Sequence, residues 1–226
     1  MALDRLVTIF DFYRGDSTAK GTLIRITERA PRVIGKFLES PVFGFGFSTA
    51  FEIKVAYLGP EGSFSEKAAK KHFGSSTNFV PCGSIREIID SVEENSEYYG
   101  VLPIENSTEG LVNSTLDEII ESNLKICSEI SIPINLSLIS KKNTSLSSIK
   151  TIFAHSQAFA QSQSWMSKNL PKAIKKDVTS NSQGVLQSKK TNYSASIASI
   201  EASKKYDMKV LKRNIQDYKN NKTRFI

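Results

Sequence analysis

Short apolar stretches alternate with amphipathic segments from about residue 53 to the end of the chain. A run of apolar residues between turn residues predicts a buried strand, and apolar residues recurring every three or four positions predict a helix. Strands are predicted on these criteria at 53–58, 99–104, 124–130, 134–140, 151–154, 194–198 and 209–211. Helices are predicted at 66–73, 85–94, 112–121, 159–168 and 201–206. This alternation predicts an α/β fold with a mostly parallel sheet covered on both faces.

The first 52 residues lack this regular pattern. A short amphipathic stretch at 3–13 is followed by glycines, Pro31 and a Phe-Gly repeat at 43–47. A secretory signal needs a basic start and a continuous apolar run, and Asp4 and Asp11 interrupt both. We therefore expect residues 1–52 to be an extension without an assigned role, followed by one domain at 53–226.

The composition is that of a globular protein, with 39% apolar and 23% charged residues. No apolar run approaches the roughly 20 residues of a membrane-spanning helix, so no membrane partner is expected. Two cysteines and two histidines are too few for a disulfide framework or a structural zinc site. We expect a cytoplasmic protein without a metal.

Charge is divided unevenly along the chain. Residues 1–130 carry 13 basic and 19 acidic side chains, whereas residues 131–226 carry 17 basic and 4 acidic ones. The lysines occur as scattered pairs without the motifs of nucleic-acid-binding proteins, so no nucleic-acid partner is expected. Two interpretations remain, a solvated basic face and the steering of a small anionic ligand.

Polar residues directly follow three of the predicted strands, at 62–65, 105–107 and 155–157. Ligands of open α/β sheets bind at the carboxyl ends of strands, where helix N-termini offer backbone N–H groups to anions. The chain contains no GxSxG, GxGxxG, Walker or HExxH motif. A hydrolase triad using His155 would also lack a serine in a nucleophile elbow.

Five segments resemble the signatures of the prephenate dehydratase family. They are YLGPEGSFS at 57–65, GVLPIENS with EG at 100–110, AHSQAFAQ at 154–161, TSNS at 179–182, and IQD with NKTRF at 215–225. Each segment alone is weak evidence. The five occur in the family's order and spacing over about residues 53–226, and such a series is very specific.

The resemblance implies a type 2 periplasmic-binding-protein fold, with two α/β lobes and a cleft between them. One lobe would comprise about 53–130 plus 213–226, and the other about 131–212. The implied reaction converts prephenate to phenylpyruvate, carbon dioxide and water in phenylalanine biosynthesis, without a cofactor. Family members often form homo-oligomers and often continue into a phenylalanine-binding ACT domain, so we expect an oligomer that is truncated at its C-terminus.

The resemblance also implies roles for individual residues. Thr223 would donate a hydrogen bond to the leaving hydroxyl, and Glu105 would be a second proton source or an orienting group. The candidates for substrate binding are Ser63, Phe64, Ser65, Asn106, Ser107, His155, Gln161, Ser180, Asn181, Arg224 and Phe225.

Structural roles stay open for several of these residues. Ser63 or Ser65 can cap a helix, and His155 can cap the helix that follows it. Arg224 can form an ion pair between the lobes instead of binding a carboxylate, and Phe225 suits the core.

Two other functions stay open at this stage. An arogenate dehydratase would catalyse the same elimination on the aminated substrate, and no residue identifies the substituent unambiguously. A non-catalytic module of the same fold would bind a small anion without needing Thr223 and Arg224.

Overall fold

The computed structural model describes residues 53–226, so the sequence features expected within 1–52 lie outside the described residues. Its strands are β1 (Lys54–Leu58), β2 (Asn78–Cys82), β3 (Tyr98–Val101), β4 (Pro103–Asn106), β5 (Gly110–Leu111), β6 (Ile130–Pro133), β7 (Ser137–Ser140), β8 (Thr151–Ala154), β9 (Ile174–Asp177), β10 (Ser194–Ala198), β11 (Lys209–Lys212) and β12 (Lys222–Phe225). Its helices are α1 (Phe64–Phe73), α2 (Ile85–Glu94), α3 (Asn113–Glu121), α4 (Ser156–Gln161), α5 (Gln163–Asn169), α6 (Asn181–Lys190) and α7 (Ile200–Lys205). A short 3-10 turn covers Leu146–Ser148.

The described strands form three sheets. A three-stranded sheet has β1 between β2 and β3, with both pairs parallel. A five-stranded sheet has the order β11-β7-β10-β8-β9 and mixes parallel with antiparallel pairs. A four-stranded antiparallel sheet has the order β5-β4-β12-β6. The α/β class is confirmed, but the sheets are more mixed than the alternation of elements predicts.

We call the part with the three- and four-stranded sheets lobe 1, and the part with the five-stranded sheet lobe 2. The chain passes from lobe 1 to lobe 2 between β6 and β7, and it returns between β11 and β12. The division at about residues 131 and 213 stays a prediction. One apolar cluster contains residues of both lobes, including Tyr57, Ile132, Leu138 and Ile152. The two lobes therefore share buried apolar surface, which favours their association.

Three predicted elements differ from the structure. The strand expected at 99–104 is divided at Leu102 into β3 and β4, which belong to different sheets. Residues 124–129 form no strand, and β6 begins only at Ile130. The helix expected at 159–168 is divided into α4 and α5 at Ser162, whose backbone leaves the helical region with φ −128° and ψ 21°. The carboxylate of Asp217 accepts hydrogen bonds from the backbone N–H groups of Ser164 and Trp165, so a residue distant in sequence caps α5.

Five elements, β2, β5, β9, β12 and α6, have no counterpart among the predicted segments. Strand β9 is exposed along its whole length, so it lacks an apolar face. Helix α6 contains Gly184, where an added Cβ would lie 2.8 Å from the Phe153 carbonyl oxygen. This glycine lets α6 pack closely against β8. Because glycine has a low helix propensity, it also weakens the helical pattern in the sequence.

Candidate functional site between the lobes

Strand β12 lies between β4 and β6 and presents different side chains to its two faces. In the β12–β4 pair, Thr223 is opposite Asn106 and Arg224 is opposite Glu105. Successive side chains of a strand point to opposite faces of the sheet. Thr223 and Asn106 are 9% and 7% exposed, whereas Arg224 is exposed to solvent. Thr223 and Asn106 therefore share the buried face.

Glu105 and Arg224 form an ion pair on the other face, with 2.6 Å between Oε2 and Nη2. Arg224 also lies 3.4 Å from a carboxylate oxygen of Glu129. Strand alternation places Glu105 and Arg224 on the face opposite Thr223, and their catalytic and substrate-binding roles stay predictions. The ion pair also joins residues of lobe 1 alone, instead of linking the lobes.

The Thr223 hydroxyl is held by the side-chain amide of Asn106. Nδ2 of Asn106 donates to Thr223 Oγ1 at 2.8 Å and to Asn221 Oδ1 at 2.9 Å. Oδ1 of Asn106 accepts from the backbone N–H of Thr108 at 3.0 Å and from its hydroxyl at 2.6 Å. Both amide hydrogens of Asn106 are thereby used. Since Thr223 accepts from this amide, its own O–H can donate elsewhere.

A side chain of lobe 2 joins this network. Nδ2 of Asn221, which is 2% exposed, donates to Oε1 of Gln161 at 3.1 Å. Nε2 of Gln161 donates to Oε1 of Glu109 at 2.8 Å. Gln157, one turn earlier on α4, donates to Oε2 of the same carboxylate. Helix α4 of lobe 2 is thus hydrogen-bonded to the loop that follows β4 in lobe 1.

Two members of this network were not among the predicted site residues: Glu109 and Asn221. Both lie within the family-like segments, which are the sequence signal that points to them. Their contacts depend on the pairing of β4 with β12 and on the approach of α4, and neither can be deduced from sequence spacing.

The start of helix α1 lies where the two lobes meet. Ser63 caps α1, because its hydroxyl accepts from the backbone N–H of Glu66 at 3.1 Å, and it donates to the Leu58 carbonyl at 3.0 Å. The predicted capping role of Ser63 is thereby confirmed. Phe64 is partly buried against the core, and Ser65 is a buried residue in the first turn of α1.

The loop before Ser63 contacts lobe 2 through Gly62. The Ser199 hydroxyl donates to the Gly62 carbonyl at 2.6 Å. Gly62 has φ +80°, and an added Cβ would lie 2.7 Å from Cα of Ala202. A glycine is required here both for the backbone conformation and for this close approach. The hydroxyl of Tyr206 adds a hydrogen bond to the Glu61 carbonyl at 2.8 Å.

Three predicted residues of lobe 2 lie together at the carboxyl ends of β8 and β9. His155 caps α4, with its Nδ1 accepting from the backbone N–H of Gln157 at 3.3 Å. Oδ1 of Asn181 accepts from the backbone N–H of His155 at 3.0 Å. Ser180 caps α6 by accepting from the backbone N–H of Gln183 at 3.1 Å. The capping alternative for His155 is confirmed, and Nε2 is not involved in the cap.

Two further predicted residues have structural positions. Ser107 connects the turn after β4 to the start of β12, because its hydroxyl accepts from the backbone N–H of Lys222 at 2.9 Å. Phe225 is 1% exposed and packs in the main apolar cluster, which supports the core alternative, and its contact with substrate stays a prediction.

The phenol of Tyr57 is buried in the same apolar cluster as Phe225. Burial raises the pKa of the Tyr57 phenol well above its ordinary value, and the negative charges of Glu66 and Glu61 raise it further. The phenol therefore stays protonated in the folded protein.

Within residues 53–226, no cluster of three or more His, Cys, Asp or Glu side chains has the arrangement of a metal site. In the same range, no helix combines the length and apolar character needed to cross a membrane.

Fold and site together define a two-lobed α/β protein with a threonine-containing polar network between its lobes. The family model described as prephenate dehydratase matches residues 55–226, and the chain belongs to this family.

Relatives and solved structures agree with this membership. The bifunctional chorismate mutase/prephenate dehydratase of Aquifex aeolicus is 41% identical over 175 residues, covering 77% of this chain and 48% of the relative. The prephenate dehydratase of Lactococcus lactis subsp. cremoris is 36% identical, with 76% and 62% covered. The crystal structure of the Arthrobacter aurescens prephenate dehydratase in complex with L-Phe has a TM-score of 0.72 and 30% identity, covering 77% of this chain and 59% of that one. The chain spans about half the length of the bifunctional relative.

Proposed function

We propose that residues 53–226 are the catalytic domain of a prephenate dehydratase acting in phenylalanine biosynthesis. The observation that carries this proposal is the buried Thr223, whose Oγ1 accepts a hydrogen bond from Asn106 at 2.8 Å beside the contact between the lobes. Membership of the family supplies the substrate class.

The reaction breaks two bonds that join the substrate ring to its substituents. The ring carboxylate leaves as carbon dioxide, and the electron pair of the broken C–C bond enters the ring. The hydroxyl leaves with the electrons of its C–O bond and takes up one proton to become water. Aromatisation of the ring drives both steps, so the protein needs to orient a dianion and to assist the departing hydroxyl.

Thr223 is the proposed donor to this departing oxygen. A threonine hydroxyl is a weak acid, so its contribution is a hydrogen bond that strengthens as negative charge develops, with the proton supplied ultimately by water. Such differential stabilisation in a site shielded from water lowers the barrier, and each factor of ten in rate corresponds to about 1.4 kcal/mol. Because Asn106 occupies the acceptor side of the Thr223 oxygen, the O–H remains available for the substrate.

The N-termini of α1 and α6 are the proposed sites for the two carboxylates. Both helices begin with a serine cap, at Ser63 and Ser180, and both have ten residues. Helix N-termini carry a partial positive charge and unpaired backbone N–H groups, which favour anions. We assign Ser65 to the first of these anion sites, and His155 and Asn181 to the second, because they lie beside these N-termini.

The test is an assay of the chain with prephenate and, separately, with arogenate. We expect phenylpyruvate from prephenate, with kcat reduced at least about 100-fold in Thr223→Ala and largely kept in Thr223→Ser, which retains the hydroxyl. Turnover of arogenate alone would transfer the assignment to arogenate dehydratase. Binding of prephenate without turnover of either substrate would favour a non-catalytic anion-binding module.

We also propose that the protein is cytoplasmic and forms a homo-oligomer. Large apolar side chains exposed on lobe 1, such as Ile120 at 79% and Leu111 at 57%, support an interface between copies. Light scattering on the purified chain tests the oligomer, since a molar mass equal to that of one chain at all concentrations contradicts it.

A further inference from the structure

Four hydrogen bonds in series connect Glu109 to Thr223 and form one continuous path through residues of both lobes. The path runs from Glu109 to Gln161, then to Asn221, to Asn106 and to Thr223, with donor–acceptor distances of 2.8, 3.1, 2.9 and 2.8 Å. Gln161 contributes the lobe 2 link, and the other members belong to lobe 1. The path is therefore complete only while α4 lies against the loop that follows β4.

The direction of every bond on this path is determined by its ends. A carboxylate accepts hydrogen bonds and cannot donate them, so Glu109 requires Gln161 to present Nε2 and to turn Oε1 towards Asn221. Asn221 must then donate to Gln161 and accept from Asn106. Asn106 consequently donates to Thr223, which leaves the threonine O–H without a role in the path.

Near the Thr223 end of the path, a hydrogen bond from Thr108 to Asn106 imposes the same direction. The backbone N–H of Thr108 can only donate, and it donates to Oδ1 of Asn106 at 3.0 Å. This bond turns Nδ2 of Asn106 towards Asn221 and Thr223. The two ends are thus consistent. The bonds of Asn106 to Asn221 and Thr223 are buried and hold these side chains in one arrangement, whereas the bond of Gln161 to Glu109 is exposed to solvent.

We propose that Glu109 is a positioning residue that acts on Thr223 through Gln161, Asn221 and Asn106. When the lobes meet, its carboxylate fixes the direction of the path, so that Thr223 presents its O–H to the ligand instead of to Asn106. This inference rests on the proposed function for the identity of the ligand. It assigns Gln161 to the alignment of Thr223 instead of to a direct substrate contact.

Gln157 is the control that distinguishes alignment of Thr223 by Glu109 from a simple attachment of the two lobes. It donates to the second oxygen of Glu109 from the same helix face as Gln161, but the path to Thr223 does not pass through it. A carboxylate that only held α4 in place would need both glutamines alike. A carboxylate that aligned Thr223 would act mainly through Gln161.

The kinetic test compares Glu109→Ala, Gln161→Ala and the control Gln157→Ala with prephenate. We expect the first two variants to lower kcat about tenfold with KM changed less than about twofold, because alignment of the donor acts on the transition state. Gln157→Ala should keep kcat within about twofold of the unmodified chain. Equal losses from the two glutamine variants, or a Glu109→Ala effect confined to KM, would overturn the proposal.

A second measurement does not depend on turnover. In ¹⁵N spectra of the side-chain amides, Glu109→Ala should shift the Asn106 NH₂ signals, three hydrogen bonds away, and Gln157→Ala should leave them in place. Identical Asn106 signals in all three proteins would contradict the path. If the unmodified chain converts neither substrate, the proposed function fails, while these spectra still decide whether Glu109 acts on Asn106.

Discussion

At the scale of single residues, chemistry depends on which face of a strand a side chain occupies. Thr223 and Arg224 are neighbours in the sequence, yet one accepts a hydrogen bond from Asn106 and the other pairs with Glu105 on the opposite face. The family-like motifs identified all of these residues. The separation of their roles depends on the register between β4 and β12, which links positions more than a hundred residues apart.

The buried phenol of Tyr57 predicts a change of stability at alkaline pH. Burial and the nearby acidic side chains raise the pKa of Tyr57 in the folded protein, whereas the unfolded phenol ionises near its ordinary value. Its stabilising contribution is therefore complete below about pH 10 and decreases as the pH rises further. At one pH unit above the unfolded pKa, the loss is about 1.4 kcal/mol.

Urea unfolding at neutral pH and near pH 11 measures this effect, with Tyr57→Phe as the comparison. The phenylalanine variant should lose less free energy of unfolding between the two conditions than the unmodified chain, because lysine titration is common to both. Equal losses would mean that the Tyr57 phenol ionises as readily in the folded state as in the unfolded one.

At the scale of elements, local pattern predicted most helices and strands, and tertiary contacts account for the differences. Helix α2 matches its predicted range of 85–94, because an amphipathic pattern and a serine cap at Ser84 act within the segment itself. The break between α4 and α5 depends on Asp217, which caps α5 from about fifty residues away. No local pattern around Ser162 indicates this partner.

The contact of Gly62 with α7 predicts a specific cost for adding a methyl group. Gly62→Ala should separate the loop from Ala202 and lower kcat/KM about tenfold or more, since the site requires both lobes. Gly74→Ala is the matched control, because Gly74 has φ +81° and no atom within 4 Å of an added Cβ. Both glycines have a positive φ near 80°, and only Gly62 is in close contact with lobe 2.

Kinetics and urea unfolding of the two glycine variants test this prediction. Gly74→Ala should cost about 1–3 kcal/mol of stability without changing kcat/KM, because its φ of 81° and ψ of 161° lie in a region that is nearly restricted to glycine. Similar values of kcat/KM for both variants would show that the approach of Gly62 to Ala202 has no part in assembling the site.

At the scale of the whole molecule, the uneven charge distribution coincides with the lobes. Residues 131–212, which contain the five-stranded sheet, have 13 lysines and 3 acidic side chains. A basic lobe would attract the proposed dianionic substrate over a distance that salt reduces, with a screening length of about 10 Å at 0.1 M. We therefore infer that the lysines form a solvated surface and also attract the proposed anionic substrate electrostatically.

This interpretation predicts a dependence of kcat/KM on ionic strength. Raising the salt concentration from about 0.02 M to about 0.5 M should lower kcat/KM severalfold with little change in kcat. Replacing Lys175 and Lys176, which are exposed on β9, with glutamate should weaken the salt dependence. A kcat/KM that is unaffected by salt would favour the solvated-face interpretation alone.

Two neighbouring substitutions test most directly whether the buried face of β12 carries the chemistry. Thr223→Val removes the hydroxyl and keeps the shape, whereas Arg224→Gln removes a charge from the exposed face. We predict at least about a 100-fold loss of phenylpyruvate formation in the first variant and less than about a threefold loss in the second. Similar losses in both variants, or full activity in Thr223→Val, would contradict this account.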